Sequence, residues 1–271
     1  MTRDEILAGL HARVAGGGVV VVAGVGSGLT AAGAAAGGAD MIATYSTAIY
    51  RILGVPTALA FMPYDDTNAV TLDLLPIVVG RAGAVPVIAG LGAHDPRRPI
   101  DRLVGAAIDG GAAGLTNEPF VGIYTAEMRA DLDAAGYGFG REVAMLALAR
   151  RRGMATLGWA FDEEEVRTLI GAGVDVIGAM AGITAGGTAA DARAAAFERF
   201  AAMTAAARDA DPSAIVVLHG GPLADPATVG DALAYTGADG YATGSSAERT
   251  PVLGAVRDTV AAFRSLPLRP R

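Results

Sequence analysis

The stretches Ile215-Val-Val-Leu-His219-Gly-Gly-Pro222 and Asp239-Gly-Tyr-Ala-Thr-Gly244-Ser-Ser246 decide the fold that the sequence predicts. Each is a short apolar run that stops at glycine and is followed by a segment of helical pattern. A strand, a glycine turn and a helix, repeated in succession, are typical of the last two units of a (β/α)8 barrel, where backbone N–H groups and a helix N-terminus bind a phosphate or carboxylate. The anion site is expected at four turn residues: Gly220, Gly221, Gly244 and Ser245.

Earlier parts of the chain repeat the same unit. Short apolar runs, predicted as strands, occupy residues 19–23, 41–45, 85–89, 113–116, 155–159 and 174–178. They are apolar on both faces and separated by helical patterns, as in a buried parallel sheet, and eight such units favour a closed barrel over an open doubly wound sheet. The sequence therefore predicts an α/β protein, a TIM barrel forming a single domain over residues 1–271. The longest irregular region, residues 118–140, is expected on the catalytic rim as a lid or a subunit contact.

Composition limits the partners of the protein. The net charge is −7 and no basic run longer than the three arginines at 150–152 occurs, which argues against nucleic-acid binding. No apolar stretch reaches membrane-spanning length, and the acidic N-terminus is unlike a signal peptide, so we expect a cytoplasmic protein without membrane contact. Because 52% of the residues are hydrophobic and the mean hydropathy is +0.41, we expect an apolar patch that a second subunit covers, and hence a homo-oligomer.

Two residue types are missing, and their absence limits the chemistry. The chain has no cysteine, which removes disulfides, thiolate nucleophiles and zinc–sulfur sites. It also has no lysine, because all 21 basic side chains are arginine. Schiff-base catalysis, covalently held pyridoxal phosphate and a Walker-type phosphate loop are thereby excluded.

The segment Gly26-Ser-Gly28-Leu-Thr-Ala31 matches a loose dinucleotide-binding fingerprint. A site of that kind also needs an acid near the end of the second strand to hold the ribose, and that strand ends here in Tyr45-Ser-Thr-Ala. We therefore interpret the segment as a tight turn before a helix of small residues. The amides of Gly26 and Gly28 remain candidates for part of an anion pocket.

Carboxylates follow three consecutive predicted strands. Asp65 and Asp66 come after the second strand, Asp95 after the third and Glu118 after the fourth, so all are expected on the C-terminal rim of the barrel. Carboxylates of this kind, with waters and substrate oxygens, are what Mg²⁺ or Mn²⁺ requires, and Asp66, Asp95 and Glu118 are the predicted metal ligands. The alternative is that Asp66 and Asp95 cap the helices that follow them.

Other polar residues are expected on the same rim. His219 ends the seventh strand beside the anion turns, where it is a candidate general acid or base, the alternative being a core histidine bonded to backbone. Tyr45 and Asp95 are further candidates for catalysis. Arg51 and Asn117 are candidates for substrate binding, since an arginine pairs with a carboxylate through two hydrogen bonds.

Several strings in the chain are recognisable together. In order they are Gly-Ser-Gly-Leu-Thr-Ala, Tyr45-Ser-Thr-Ala-Ile-Tyr50-Arg51, Pro63-Tyr64-Asp-Asp66-Thr-Asn68-Ala, His94-Asp95-Pro96, Pro119-Phe-Val-Gly122, Gly182-Ile-Thr184-Ala-Gly186-Gly187, His219-Gly-Gly-Pro222 and Gly244-Ser-Ser246-Ala-Glu248-Arg249. With these strings the chain resembles the phosphoenolpyruvate hydrolase-like TIM-barrel family, from about residue 3 to residue 264. That family is also similar to the C-terminal half of certain plant virus-resistance proteins.

The resemblance implies a barrel of the phosphoenolpyruvate/pyruvate superfamily, often oligomeric, whose members use Mg²⁺ to hold the enolate of a 2-oxo acid. The positions that match the family's motifs are Asp66, Asn68, Asp95, His219, Gly220, Gly221 and Ser245. The chain departs from the family pattern at the strand-six end Met180-Ala181, at Ser46 and at Glu118, so its substrate is expected to differ from that of typical members.

Together these observations predict a metal-assisted lyase or hydrolase that acts on a small phosphoenolpyruvate-like or 2-oxo-acid substrate through an enolate. Asp66 and Asp95 would hold the metal, and His219 would transfer the proton. The alternative is a barrel that binds an anion or a nucleotide without turnover and serves as a scaffold or interaction protein.

Overall fold

Eight parallel strands close into a barrel in a computed structural model that describes residues 1–182 and 190–267. Each strand pairs with the next along the chain, and the first pairs with the last. The strands are β1 Val20–Val25, β2 Met41–Thr44, β3 Val87–Leu91, β4 Gly114–Asn117, β5 Ala155–Ala160, β6 Val176–Met180, β7 Ile215–His219 and β8 Gly240–Thr243. The predicted TIM-barrel fold is thus confirmed.

Helices alternate with the strands along the described residues. They are α1 Arg3–Ala15, α2 Gly28–Ala36, α3 Ser46–Ile52, α4 Thr67–Val79, α5 Ile100–Asp109, α6 Ala126–Ala134, α7 Phe139–Arg151, α8 Glu163–Gly171, α9 Ala190–Ala210, α10 Pro226–Thr236 and α11 Arg249–Arg264. Short 3-10 helices cover Thr57–Phe61 and Val121–Ile123. No described helix combines the length and the apolar character that crossing a membrane requires.

The region 118–140 is not the irregular segment that the sequence predicted. It contains one 3-10 turn and the whole of α6, which begins at its cap Thr125, whose side chain accepts from the Met128 amide. None of the residues of α6 is buried, and Met128 and Leu132 are its only large apolar residues, so the apolar periodicity is too short to indicate a helix. Pattern reasoning missed this helix for that reason.

The inside of the barrel is shaped by glycines as much as by large side chains. A Cβ added at Gly24 would overlap the Tyr45 hydroxyl, and one added at Gly178 would overlap the Trp159 ring. A Cβ added at Gly90 would lie 2.6 Å from the Tyr45 Cβ. Successive strand residues point to opposite faces, so these inward glycines leave the axis free for the two aromatic side chains at its C-terminal end.

Candidate functional site

A small polar cavity lies at the carboxyl ends of the strands, where TIM-barrel proteins keep their chemistry. Its volume is about 50 Å³, enough for a few water-sized groups. The residues that line it are Tyr45, Thr47, Arg51, Thr57, Phe61, Glu118, Phe120, Trp159, Met180, His219 and Ser245. Five residues that the sequence singled out, namely Tyr45, Arg51, Glu118, His219 and Ser245, therefore meet in one place.

His219 is held in one orientation by the backbone of β8. Its Nδ1 lies 2.6 Å from the Ala242 carbonyl oxygen, and because a carbonyl only accepts, Nδ1 carries the proton. Burial, with a smaller contribution from the Arg51 charge, lowers the pKa of His219 to about 4. At neutral pH the ring is therefore uncharged, and its Nε2 is an unprotonated base at the cavity.

Glu118 is the second titratable group of the cavity. Its carboxylate accepts a hydrogen bond from the Thr47 hydroxyl, and the residue is only 5% exposed. Burial raises the pKa of Glu118 to about 7, against the opposing effects of Thr47 and the Arg51 charge. A carboxyl group that titrates near neutrality exchanges protons readily, so Glu118 suits acid–base chemistry.

Arg51 belongs to a buried ion pair. Its Nε donates to Glu248 at 2.7 Å, and its Nη2 donates to the Gly24 carbonyl at 2.8 Å. The other Glu248 oxygen accepts from the Gly26 amide at 2.7 Å and from the Thr30 hydroxyl at 2.6 Å. The pair thus joins α3, the residue before α11 and the loop after β1, and the Arg51 guanidinium also lies beside the Tyr45 hydroxyl.

Tyr45 stands between these groups, at the end of β2. Burial raises the pKa of its phenol, with a further contribution from Glu118 and an opposing one from Arg51. The hydroxyl therefore stays protonated at all ordinary pH values and is available as a hydrogen-bond donor.

The two glycine turns lie beside His219 and Arg51. Gly220 and Gly221 have φ values of +85° and +55°, a conformation that favours glycine, and a Cβ at Gly220 would overlap the Gly182 carbonyl. A Cβ at Gly244 would lie 3.2 Å from Arg51 Nη1 and 3.3 Å from His219 Cε1. The space above Gly244 is therefore flanked by a guanidinium and an imidazole.

Backbone amides are available at the second turn. Within the described part of the chain, the N–H groups of Ser245 and Ser246 donate to no protein acceptor, whereas the Gly244 carbonyl accepts from the amides of Ala247 and Glu248. Adjacent N–H groups of this kind attract anions. The family string that begins at Gly182 runs on through residues 183–187, which lie outside the described residues.

Asp66 and Asp95 line a different space, a cleft of about 870 Å³ outside the central cavity. Asp66 caps α4 by accepting from the Ala69 amide at 2.9 Å, as the capping alternative predicted. Asp95 accepts at 3.0 Å from Asn68 and at 2.6 Å from the Nε of Arg98, and the same guanidinium also contacts Asp66.

The Asp95 carboxylate also closes a backbone turn. It accepts from the amides of Arg97 and Arg98, whereas α5 begins only at Ile100, after Pro99, so Asp95 does not cap that helix. Burial alone would raise the pKa of Asp95, but these hydrogen bonds and the one from Asn68 lower it below its ordinary value. Asp95 is therefore a charged group of the outer cleft and does not reach the cavity that holds His219.

The donor set does not fit the metal centre that the sequence predicted. Asp66 and Asp95 are joined by the Arg98 guanidinium, and Glu118 is bonded to Thr47 in the other cavity. No group of three histidine, aspartate or glutamate side chains within residues 1–182 and 190–267 is arranged to hold a metal ion. A cation at Asp66 and Asp95 would first have to displace Arg98, so metal binding by these residues stays a prediction.

Three further candidates have structural contacts away from the cavity. Asn117 bridges β4 and β5, since its Oδ1 accepts from the Trp159 amide at 2.8 Å and its Nδ2 donates to the Trp159 carbonyl at 3.2 Å. A Cβ at Gly26 would overlap the Ala48 carbonyl, and one at Gly28 would lie 3.0 Å from Ile77. These positions allow close packing, and the Gly26 amide is already bonded to Glu248.

Sequence reasoning missed several residues of the site. Glu248 pairs with Arg51 across 197 positions in the chain, and Thr47 bonds Glu118 across 71. Trp159 was assigned to a strand without a role at the cavity. Alternation along β5 places every second side chain inside the barrel, and this is the signal that would have located Trp159.

The fold and the site define a TIM barrel with a polar cavity at the carboxyl ends of its strands, shared by a neutral histidine, a buried glutamate and an arginine. The chain belongs to the Phosphoenolpyruvate hydrolase-like family, which it matches over residues 5–266. The family named from the sequence strings is thereby confirmed.

Known proteins resemble the chain in sequence and in fold. The ToMV resistance protein Tm-1 of Solanum lycopersicum is 34% identical over 269 residues, which are 97% of this chain and 36% of that protein. The chain thus spans about a third of the length of this curated relative.

Solved structures share the barrel at lower identity. A phosphonopyruvate hydrolase in complex with oxalate and Mg²⁺ is 19% identical with a TM-score of 0.65, covering 97% of this chain and 87% of that one. An oxaloacetate acetylhydrolase is 18% identical with a TM-score of 0.63, covering 93% of this chain and 85% of that one. At such identities the similarity establishes the fold.

Proposed function

We propose that the protein is a lyase or hydrolase that acts on a small 2-oxo acid or a phosphoenolpyruvate-like anion through an enolate. The observation that carries the proposal is the state of His219: the ring is uncharged, its Nδ1 is fixed on Ala242, and it borders a cavity that also holds Arg51 and Glu118. An oriented neutral imidazole beside a cation is the arrangement that proton abstraction from a bound anion requires.

The substrate anion would bind at the space above Gly244. Arg51 Nη1 and the amides of Ser245 and Ser246 would supply donors there, and the turn of Gly220 and Gly221 directly follows His219 in the chain. A carboxylate or phosphoryl group in this place would have its remaining atoms beside His219 and Tyr45. The bound position is part of the proposal and is tested with it.

The chemistry then follows from the groups that line the cavity. For a 2-oxo acid carrying a hydroxyl group on C4, His219 Nε2 would take the hydroxyl proton while the C3–C4 bond breaks. The bonding electrons pass to C3 and on to the carbonyl oxygen, giving an aldehyde or ketone and an enolate. The Tyr45 hydroxyl donates to that oxygen, and a proton returns to C3 from His219 or Glu118. Because the chain has no lysine, the electrons cannot be accepted by a protein imine.

The names of two structurally similar enzymes suggest which compounds to assay as substrates. The phosphonopyruvate hydrolase and the oxaloacetate acetylhydrolase that share the barrel are named for substrates of the 2-oxo-acid type. We therefore expect turnover of at least one compound among phosphoenolpyruvate, oxaloacetate and 2-oxo-acid aldols. Each is assayed with EDTA and with added Mg²⁺ or Mn²⁺, and activity that EDTA abolishes and a metal restores would support the metal prediction that the Arg98 contacts oppose.

A second candidate function is anion binding without turnover. It is favoured by the tomato relative, which is named as a resistance protein. Binding of these anions by calorimetry, with no product detected by NMR from any of them, would replace the enzyme proposal by this one.

We further propose that the protein forms a homo-oligomer through α11. This helix buries none of its residues, and Leu253, Val256, Val260 and Phe263 along it are between 58% and 70% exposed. Their spacing of three and four places them on one helical face, which a second copy would cover. Light scattering tests the proposal. Phe263→Glu should lower the measured mass, whereas Leu29→Glu, at an exposed position of α2, should not. A wild-type mass near 27 kDa at micromolar concentration would contradict the proposed oligomer.

A further inference from the structure

The strongest unexplained group near the cavity is the indole nitrogen of Trp159. This atom is buried and has no hydrogen-bond partner among the described residues, although Trp159 is one of the residues that line the cavity. Buried polar groups are paired in more than nine cases of ten, since leaving one unpaired costs free energy. An unpaired donor beside a polar cavity therefore indicates a group that enters from outside.

The indole is fixed by its surroundings from several sides. The Trp159 backbone is bonded at both its N–H and its C=O to the Asn117 side chain. Gly178 has no Cβ, and a Cβ there would overlap the ring. The His219 ring packs against it, with 5.5 Å between the ring centres and 52° between the planes. A donor held in this way keeps its direction when the ligand is absent, which lowers the cost of binding.

The chemistry of the donor limits the ligand. An indole N–H donates and cannot accept, so its partner is an acceptor such as a carboxylate, carbonyl or phosphoryl oxygen. The cavity volume of about 50 Å³ leaves room for a compact group of a few atoms beside the ring. Phe61 and Phe120, whose ring centres are 5.3 Å apart, border both this cavity and the outer cleft and limit the ligand on that side.

We infer that Trp159 is a binding residue of the cavity, whose indole N–H donates to an oxygen of a compact carboxylic acid, of the size of oxalate or pyruvate. The inference rests on the proposed position of the substrate. It adds a second hydrogen-bond donor to that site: the indole N–H of Trp159 is neutral, whereas the Arg51 guanidinium is charged. It does not depend on turnover, because it concerns binding alone.

The experiment uses the fact that Trp159 is the chain's one tryptophan. In a ¹H–¹⁵N spectrum of the wild-type protein, one indole cross-peak reports on this nitrogen. Titration with oxalate and with pyruvate should move the indole proton downfield in a saturable manner, as a new hydrogen bond to a carboxylate does. Inorganic phosphate serves as a tetrahedral comparison, and methylammonium chloride, which only donates, should leave the peak in place.

Two variants separate recognition from stability. Trp159→Phe keeps an aromatic ring against His219 but removes the donor, and calorimetry should show roughly 10–100-fold weaker oxalate binding, the usual effect of losing a hydrogen bond to a charged group. Thr204→Val is the matched control, because Thr204 Oγ1 is also buried without a partner in the described part of the chain but lies on α9, outside the barrel. It should bind oxalate as the wild type does.

Three results would overturn the inference. They are an indole peak that does not move while oxalate binds, equal affinities of the wild type and Trp159→Phe, and no binding of any of the three anions. If the phenylalanine variant does not fold, the wild-type titration still decides. Binding that shifts the indole, with no turnover of any compound, would support Trp159 as a binding residue while rejecting the enzyme proposal.

Discussion

The ion pair between Arg51 and Glu248 allows a quantitative prediction. Both side chains are almost fully buried, with 4% and 2% of their surfaces exposed, and the Glu248 carboxylate accepts hydrogen bonds from three groups. In Glu248→Gln one oxygen is replaced by an NH₂ group, so the amide oxygen can serve either Arg51 or the loop after β1, but not both. The guanidinium is then left buried without a counter-charge.

The expected cost is large on the scale of protein stability. Removing one partner of a buried ion pair costs about 3–5 kcal/mol, against a total free energy of unfolding of about 5–15 kcal/mol. For a domain of roughly this size, about 2–4 °C of melting temperature is lost per kcal/mol, which gives a fall of about 6–20 °C.

The assay is urea unfolding followed by circular dichroism, with the midpoint and the slope fitted separately. The matched control is Asp258→Asn, which breaks the exposed pair of Arg257 and Asp258, whose side chains are 77% and 69% exposed. Such pairs contribute about 0–1 kcal/mol. If Glu248→Gln is no more destabilising than the control, the reasoning about burial is refuted.

A double variant tests whether Arg51 and Glu248 stabilise the protein through their interaction with each other. Arg51→Met in the Glu248→Gln background removes the uncompensated charge, so the combined loss should be smaller than the sum of the two single losses by at least about 0.5 kcal/mol, the lower end of coupling between contacting residues. Strict additivity would mean that Arg51 and Glu248 contribute to stability independently.

The remaining predictions concern the cavity. His219→Asn places an amide N–H near the Ala242 carbonyl but removes the base at Nε2, so turnover should fall roughly 10²–10⁴-fold with little change in melting temperature, and unchanged turnover would make the histidine a structural residue. The pKa of Glu118 in the folded protein is about 7 rather than the ordinary 4.5. The folded state therefore holds the Glu118 proton more tightly than the unfolded state, and the free energy of unfolding falls as the pH rises from 4.5 to about 7. The expected fall is about 3 kcal/mol, at 1.36 kcal/mol per pH unit. Glu118→Gln does not titrate, so urea unfolding at pH 5 and pH 8 should show a smaller decline than in the wild type; equal declines would contradict the assignment. Gly244→Val would fill the space beside Arg51 Nη1 and should weaken phosphate binding in calorimetry at least tenfold, whereas unchanged affinity would place the anion elsewhere.

Much of the barrel could be predicted from the sequence because each strand and the turn after it can be recognised from a short stretch of consecutive residues. The run 215–219 and the glycines after it identify β7 and its turn without knowledge of any partner strand. Strand ends were less accurate: β3 begins at Val87 rather than at residue 85, since Pro86 has no N–H to donate to a neighbouring strand. Likewise β2 ends at Thr44 rather than at residue 45, because Tyr45 already forms the cap position of α3.

The site was predicted less well, because its contacts connect distant parts of the chain. Strand ends correctly suggested that Tyr45, Glu118 and His219 share one rim. The same reasoning grouped Asp66 and Asp95 with them, yet these carboxylates are held by Arg98 in the outer cleft. Nothing in the local pattern indicates which of two neighbouring spaces a loop residue will enter.

The glycines inside the barrel have a consequence for how this protein can change. The positions of Gly24, Gly90 and Gly178 hold no side-chain atoms, and the neighbouring Tyr45 and Trp159 occupy the room that this leaves. A single methyl group would overlap the Tyr45 hydroxyl at Gly24 or the Trp159 ring at Gly178, and at Gly90 it would press on the Tyr45 Cβ, so each change would displace an aromatic side chain and alter the outline of the cavity. A single substitution at one of these glycines could therefore change which ligands fit the cavity, although the substituted residue itself would not contact the ligand. Relatives with alanine at these positions would be expected to prefer ligands of a different shape.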